Sequence, residues 1–124
     1  MPTRKPTDAE LAILRVLWSR GASTVRQVAG AMEREVGYTT VLKLLQIMTE
    51  KGLVTRDESA RTHVYSAAFS EDQTQRQLVN DLVERAFDGS AAKLVMQALA
   101  SKKATPEELD EIRKLLNKPR GGSK

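Results

Sequence analysis

Hydrophobic side chains recur at helical spacing along most of the chain, and short polar or small-residue runs separate the repeats. The spacing predicts a first helix over about residues 8–20, a second over about 24–35 and a third over about 39–51. Thr7 and Glu10 have the spacing of a capping box at the start of the first helix. A glycine follows each helix, at positions 21, 37 and 52, where glycine commonly ends a helix.

The pattern changes after residue 52. Residues 53–56 and 62–65 are rich in β-branched and aromatic side chains, and the segment 57–61 between them is mostly polar. This arrangement predicts a β-hairpin. Three helices followed by a hairpin is the order of a winged helix-turn-helix. We therefore predict a mainly α fold that begins with a winged-helix DNA-binding domain over residues 1–70.

Residues 71–118 predict three further amphipathic helices and no strand. Ser70 and Gln73 form a second capping box, and Thr105 followed by Pro106 is a strong helix start. Short helices of this kind cannot bury their apolar stripes fully against one another. We predict that they form a dimerisation domain, with docking onto the first domain as the alternative. The predicted dimer positions are Leu78, Val79, Leu82, Val83, Phe87, Leu94, Val95, Leu99, Leu109, Ile112, Leu115 and Leu116.

The composition removes most enzyme classes. The chain has no cysteine and one histidine, His63, which excludes disulfides, thiolate metal sites and zinc sites with several histidines. No Gly-x-Ser-x-Gly motif accompanies His63 as part of a nucleophilic triad. We predict no enzymatic activity, no cofactor and no metal. The absence of a long apolar run or a signal-peptide core predicts a cytoplasmic protein without membrane insertion.

The charge is divided along the chain. Residues 1–70 carry ten Lys or Arg against seven Asp or Glu, whereas residues 71–117 carry seven against nine. The final residues, 119–124, are predicted to be a disordered basic tail. A basic first half beside a mildly acidic second half favours an anionic partner for the first and a protein partner for the second.

The third predicted helix is the candidate DNA-reading element, because an α-helix fits the major groove. Opposite its core stripe lie Thr39, Thr40, Leu42, Lys43, Gln46 and Ile47. Lys43 can donate to guanine or phosphate, and Gln46 can pair with adenine. Leu42 and Ile47 can contact thymine methyls, with packing at the helix edge as the alternative for Ile47. The alternative is an ordinary solvated face, with Thr39 serving only as a helix cap.

Other candidates flank this helix. Arg56 and Arg61 bracket the predicted hairpin turn, where either could contact phosphate, although neighbouring acidic residues oppose this. His63 alternates with Tyr65 along the second strand, which favours a partly buried packing residue over a phosphate contact. Tyr38 precedes the third helix and could contact the DNA backbone or pack at the helix start.

Several of these segments together resemble the penicillinase repressor family (BlaI, MecI and CopY type). The resemblance rests on the residues 7–10, on Leu14 to Trp18, on the stretch YTTVL followed by EKGLV over residues 38–54, and on Arg61 to Tyr65. It covers nearly the whole chain. It implies a winged-helix domain, a helical dimerisation domain, and a dimer that represses transcription from a palindromic double-stranded DNA operator.

The resemblance also implies functional residues and a release mechanism. The DNA-reading positions would be Thr39, Thr40, Lys43 and Gln46, with Arg61 as the wing contact. In β-lactam-responsive members a membrane metalloprotease sensor triggers cleavage of the repressor at an Asn-Phe bond. Gln97-Ala98 stands at the corresponding position here, and the cysteines of copper-responsive members are absent. Ile47 stands where several relatives have arginine.

A second function remains open at this point. A winged helix can serve as a protein-interaction module without sequence-specific DNA binding, and the small net charge of +4 does not exclude this. The two hypotheses differ in whether the purified protein prefers one DNA sequence over another.

Overall fold

A computed structural model describes residues 5–33 and 35–118. The elements follow the order α1 (Asp8–Arg20), α2 (Val25–Ala31), α3 (Tyr38–Lys51), β1 (Val54–Asp57), β2 (Val64–Ala67), α4 (Glu71–Ala86), α5 (Ala91–Ser101) and α6 (Pro106–Asn117). The chain divides into two compact units between Val79 and Asn80, within α4. The predicted domain boundary at residue 70 stays a prediction, and the predicted tail over 119–124 lies outside the described residues. No helix among the described residues is long and apolar enough to span a membrane.

The first unit has one hydrophobic core, to which α1, α2, α3 and the hairpin all contribute. Its fully buried side chains include Ile13, Val28, Val41, Leu45 and Met48. Trp18 packs against the edge of this cluster and donates a hydrogen bond from Nε1 to the Phe69 carbonyl, 3.0 Å away. Because α2 and α3 bury one side each, the opposite side of α3 is held outward.

The hairpin pairs β1 with β2 antiparallel, with Val54 opposite Ala67 and Arg56 opposite Tyr65. The segment between α1 and α2 adds a single bridge, in which Ser23 and Tyr65 exchange two backbone hydrogen bonds of 2.9 and 2.8 Å. Tyr65 is thereby fixed in the core, and the hairpin is joined to the helices. The predicted winged helix-turn-helix order is confirmed.

Two local predictions are wrong. The second helix was expected to reach residue 35, but α2 ends at Ala31 and Met32 is extended, with ψ 141°. Met32 and Val36 still pack against the core, so the apolar stripe continues in non-helical backbone. His63 was favoured as a partly buried residue of the second strand, but it is exposed and precedes β2.

Capping accounts for most helix boundaries. The predicted capping boxes at Thr7 and Ser70 and the predicted helix start at Thr105 are confirmed. Each of these three residues exchanges hydrogen bonds with the third residue of its helix. Gly52 ends α3 with φ 82° and ψ 15°, a left-handed conformation that favours glycine. The end of α3 is therefore sharply defined, and the chain turns directly into β1.

The second unit contains the later part of α4 with α5 and α6. Neither α5 nor α6 has a buried residue within the part of the chain that the structure describes. Both helices nevertheless carry apolar stripes, so this unit leaves much hydrophobic surface uncovered.

Candidate nucleic-acid interface

The outward side of α3 is built by the burial of its other side. Val41, Leu45 and Met48 are inaccessible to solvent, which fixes the rotation of the helix about its own axis. Thr39, Thr40, Lys43 and Gln46 are all exposed as a result. Leu42, predicted with them, is half-buried and packs against the core, so only part of its side chain is available to a partner.

One acidic residue shares this surface and was missed by the sequence analysis. Glu50 is exposed. The successive spacings from Thr39 to Lys43, Gln46 and Glu50 are four, three and four residues, which place the four side chains along one line of the helix. The spacing alone could have found it. A carboxylate in this line can accept a hydrogen bond from cytosine N4 and is repelled by phosphate.

The far end of α3 is tied to the beginning of α1 by an ion pair. Lys51 Nζ donates to both carboxylate oxygens of Glu10, at 2.9 and 3.0 Å. Glu10 is 2% exposed and also accepts from the Thr7 backbone N–H at 2.9 Å. The carboxylate lies in the first turn of α1 and the ammonium in the last turn of α3, where each charge is favoured by its helix dipole. Lys51 is therefore engaged within the protein and is not a free cation of the interface.

The environment of Glu10 changes its acidity. Burial by itself would raise the pKa of this carboxyl, but the hydrogen bonds from Lys51 and Thr7 and the Lys51 charge outweigh it and hold the pKa below the ordinary value. Glu10 therefore stays ionised near neutral pH. The pair links two helices whose relative placement sets the direction of the outward side of α3.

The two wing arginines have different surroundings. Arg56 forms an ion pair with Glu58, with 2.6 Å between Nε and Oε2. Its hydrogen bond to the Tyr65 side chain, together with Glu58, raises the pKa of Arg56 above its ordinary value. Arg61 is exposed near the tip of the hairpin, and within the described residues no carboxylate pairs with it. Of the two, Arg61 is the cation that an incoming phosphate can reach.

A second cation lies at the other end of α3. Arg26, the second residue of α2, is exposed, and its guanidinium carbon lies over the Tyr38 ring, 5.6 Å from the ring centroid. Tyr38 is the first residue of α3 and is 48% exposed. The sequence pattern points to Tyr38 but not to Arg26, because two residues twelve positions apart show no sign of contact in a single sequence.

The predicted dimer positions fall into three groups. Val83 is buried. Leu78, Phe87, Leu94 and Ile112 are half-buried. The remaining positions are exposed although apolar: Val79, Leu82, Val95, Leu99, Leu109, Leu115 and Leu116. Exposed apolar side chains of this number favour a protein partner.

A helix with a buried core side and a free polar side, followed by a two-stranded wing, defines a winged helix-turn-helix regulator. Comparison with known proteins narrows this class. The penicillinase repressor family model matches residues 6–118, and the chain belongs to this family. It is accordingly a transcriptional repressor that binds DNA, and the prediction of no enzymatic activity is confirmed, because the family consists of transcriptional regulators.

Two individual relatives, BlaI and a penicillinase repressor, agree with the family match. The chain is 31% identical to the transcriptional regulator BlaI of Mycobacterium tuberculosis over 112 residues, which cover 88% of this chain and 80% of that protein. It is 20% identical to a penicillinase repressor of Staphylococcus aureus, with 88% of each covered. A solved structure of Bordetella bronchiseptica BpsR matches 89% of this chain and 72% of that chain at 22% identity, with a TM-score of 0.48.

Proposed function

We propose that this repressor works as a symmetric dimer that inserts α3 of each protomer into the major groove of a palindromic operator. The observation that carries the proposal is the two-sided character of α3, with Val41, Leu45 and Met48 fully buried and Lys43 and Gln46 exposed on the opposite side. Such a helix presents donors and acceptors to base edges without any change in the core.

Each exposed residue then has a distinct role. Lys43 donates to guanine O6 or N7, and Gln46 pairs with adenine. The hydroxyls of Thr39 and Thr40, in the first turn of α3, contact phosphate beside the helix N-terminus. The accessible part of Leu42 touches a thymine methyl, and Arg61 grips phosphate from the wing. A chromosomal operator also implies that the protein works in the cytoplasm.

The second unit supplies the dimer contact in this proposal. A groove of about 560 Å³ runs between α5 and α6, with Leu99 and Ile112 in its lining. Its polar lining is divided by charge into two lysines, Lys102 and Lys103, and the glutamates at 107, 108 and 111. A two-fold axis brings the same patch of both chains together, so lysines of one protomer can meet glutamates of the other. Residues 71–118 thus act as the dimerisation domain and residues 1–70 as the DNA-binding domain.

Release follows from an upstream signal that acts on the dimer. Cleavage by a membrane metalloprotease sensor is one such route, and Gln97 and Ala98, the corresponding bond, are both exposed in α5. Intact-mass measurement of the chain recovered from cells before and after induction tests this route. A fragment ending at Gln97 supports proteolysis, whereas an intact chain under inducing conditions excludes it.

Selection of binding sites from a random duplex library tests the function as a whole. The full chain is expected to enrich an inverted repeat. Lys43→Ala should weaken binding to the selected duplex by about tenfold or more, because a good base contact is worth about 1–3 kcal/mol. Arg76→Ala removes the same charge from α4 and serves as the control. No enrichment over a scrambled duplex would favour the protein-interaction function instead.

A further inference from the structure

We propose that Arg26 and Tyr38 together form a phosphate-binding contact beside the entrance of α3, with Arg26 donating to the DNA backbone and Tyr38 holding its guanidinium in place. This inference rests on the proposed function and extends it to a residue outside α3 and the wing. The ligand is the phosphodiester of duplex DNA, contacted without regard to base sequence.

The positions of both residues are fixed by the core. Val25, next to Arg26, is buried, and Val41, one turn after Tyr38, is inaccessible to solvent. The beginning of α2 therefore lies next to the beginning of α3, and the two exposed side chains meet above them at 5.6 Å. The contact is built by the same burial that turns Lys43 and Gln46 outward.

The contact with Tyr38 leaves the hydrogen-bonding capacity of Arg26 available. It is a cation–π contact, with 5.6 Å between the guanidinium carbon and the ring centroid, and it occupies none of the five N–H donors of the guanidinium in a conventional hydrogen bond. Among the described residues no carboxylate pairs with Arg26, in contrast to Lys51, which pairs with Glu10, and Arg56, which pairs with Glu58. The planar fork of donors matches the geometry of phosphate oxygens.

The cation–π contact also reduces the conformational entropy that Arg26 loses when it binds DNA. An arginine that is free in solution loses rotamer freedom when it grips a phosphate. Tyr38 holds Arg26 near one conformation before DNA arrives, so less conformational entropy remains to be lost. Tyr38 is therefore a positioning residue for Arg26, which makes the contact.

Salt-dependent binding distinguishes a phosphate contact from a base contact. The probes are a fluorescein-labelled duplex carrying the site selected above and a scrambled duplex of the same composition, titrated with the full chain at several salt concentrations. Arg26→Ala should weaken binding to both duplexes by a similar factor of about tenfold or more, since hydrogen bonds to charged groups are the stronger class. The slope of log affinity against log salt should become shallower by about 2 for a dimer, or about 0.9 for each lost contact.

Two further variants distinguish the effect of net charge from the positioning of Arg26 by Tyr38. Arg76→Ala lowers the net charge equally and should leave the slope unchanged. Tyr38→Leu should weaken binding by about threefold, the size of an exposed cation–π contact, and should have no additional effect in the Arg26→Ala background. Both side chains are exposed, so circular dichroism should show unaltered folding.

The possible outcomes are distinct. A slope for Arg26→Ala equal to that of Arg76→Ala overturns this inference and leaves the proposed function intact. A loss confined to the selected duplex means that Arg26 reads a base, which also overturns it. If the wild-type chain binds both duplexes equally, the proposed function is wrong. Arg26 then has no role in operator recognition, and this inference fails as well.

Discussion

Glu10 is a buried carboxylate in a protein of marginal size, and its partners explain why it is tolerated. An unpaired charge in such a position is costly, but Lys51 and the Thr7 backbone supply hydrogen bonds to both oxygens. Removal of one partner of a buried pair is more damaging than replacement of both. The pair therefore makes the placement of α1 against α3 sensitive to single substitutions and to pH.

Acid should weaken the fold through this residue. The folded-state pKa of Glu10 lies below its ordinary value of 4.5. Its stabilising contribution is therefore fully present above the ordinary value and is lost as the pH falls through the lower folded-state pKa. The free energy of unfolding, measured with urea between pH 7 and pH 3, should fall more steeply for the wild type than for Glu10→Gln. Glu50→Gln, at an exposed neighbour of Lys51, is the control and should follow the wild type. Parallel curves for all three proteins would contradict this account of the pair.

At the scale of single elements, the stability of α3 depends on the conformation of the glycine that ends it. Gly52 has φ 82°, and an added Cβ would meet no atom within 4 Å, so only backbone strain opposes a side chain there. Gly52→Ala should lower the free energy of unfolding by about 1–2 kcal/mol. A Cβ added to Gly30, inside α2, would likewise meet no atom within 4 Å, and because the backbone there is helical, Gly30→Ala should raise stability by about 0.5–1 kcal/mol. Thermal unfolding measures both changes in stability. A change of the same sign for the two variants would contradict the left-handed conformation assigned to Gly52 or the helical one assigned to Gly30.

Of the two wing arginines, only Arg61 should contribute to DNA binding. Arg61 has no carboxylate partner within the described part of the chain, whereas Arg56 is held by Glu58 and Tyr65. Arg61→Ala should weaken binding to selected and scrambled duplexes alike and make the salt slope shallower, because a phosphate contact carries no base specificity. Arg56→Ala should leave the slope nearly unchanged in the same anisotropy titrations. A larger effect for Arg56 would show that its ion pair opens on DNA.

The elements themselves are largely predictable from the sequence, because their ends carry local chemistry. Thr7, Ser70 and Thr105 each cap a helix with the residue three positions later, and Gly52 ends α3. The end of α2 was missed because Met32 and Val36 continue the apolar spacing and pack against the core although both lie after the helix. Hydrophobic periodicity predicts which residues are buried in the core, but it does not show whether their backbone is helical.

The candidate site is predictable only in part. Lys43 and Gln46 follow from the helical period, since residues opposite a buried stripe must face outward. Three contacts depend on tertiary packing between separate segments of the chain: Arg26 with Tyr38, Lys51 with Glu10, and Ser23 with Tyr65. A single sequence contains no period or cap that connects such pairs, so only the structure brings them together.

At the scale of the whole molecule, the uncovered stripe of the last helix is where the proposed dimer contact can be tested. Leu115 and Leu116 are 66% and 77% exposed, which is unfavourable for side chains of this size in water. Leu116→Glu should raise the dimer dissociation constant by about 100-fold, because burial of one such side chain is worth about 1.5–3 kcal/mol and a buried charge adds a further cost.

Sedimentation equilibrium provides the measurement for this variant. Asn117→Glu changes the next residue of α6, which is also exposed and lies about 100° around the helix from Leu116. It introduces the same single negative charge and should leave the dimer intact. Of the two variants, only Leu116→Glu should lose operator affinity, because it alone weakens dimerisation. If the two variants sediment alike, the exposed stripe of α6 is not the dimer contact.

Hydroxyl-radical footprinting on the DNA upstream of the repressor's own gene, with the protein-to-DNA ratio measured in the same complex, tests the central claim most directly. The account predicts two protomers on one inverted repeat, with the protected half-sites separated by about one helical turn, roughly 10 base pairs, or a multiple of it. A single bound protomer, or protection that spreads evenly along the DNA without regard to sequence, would contradict it.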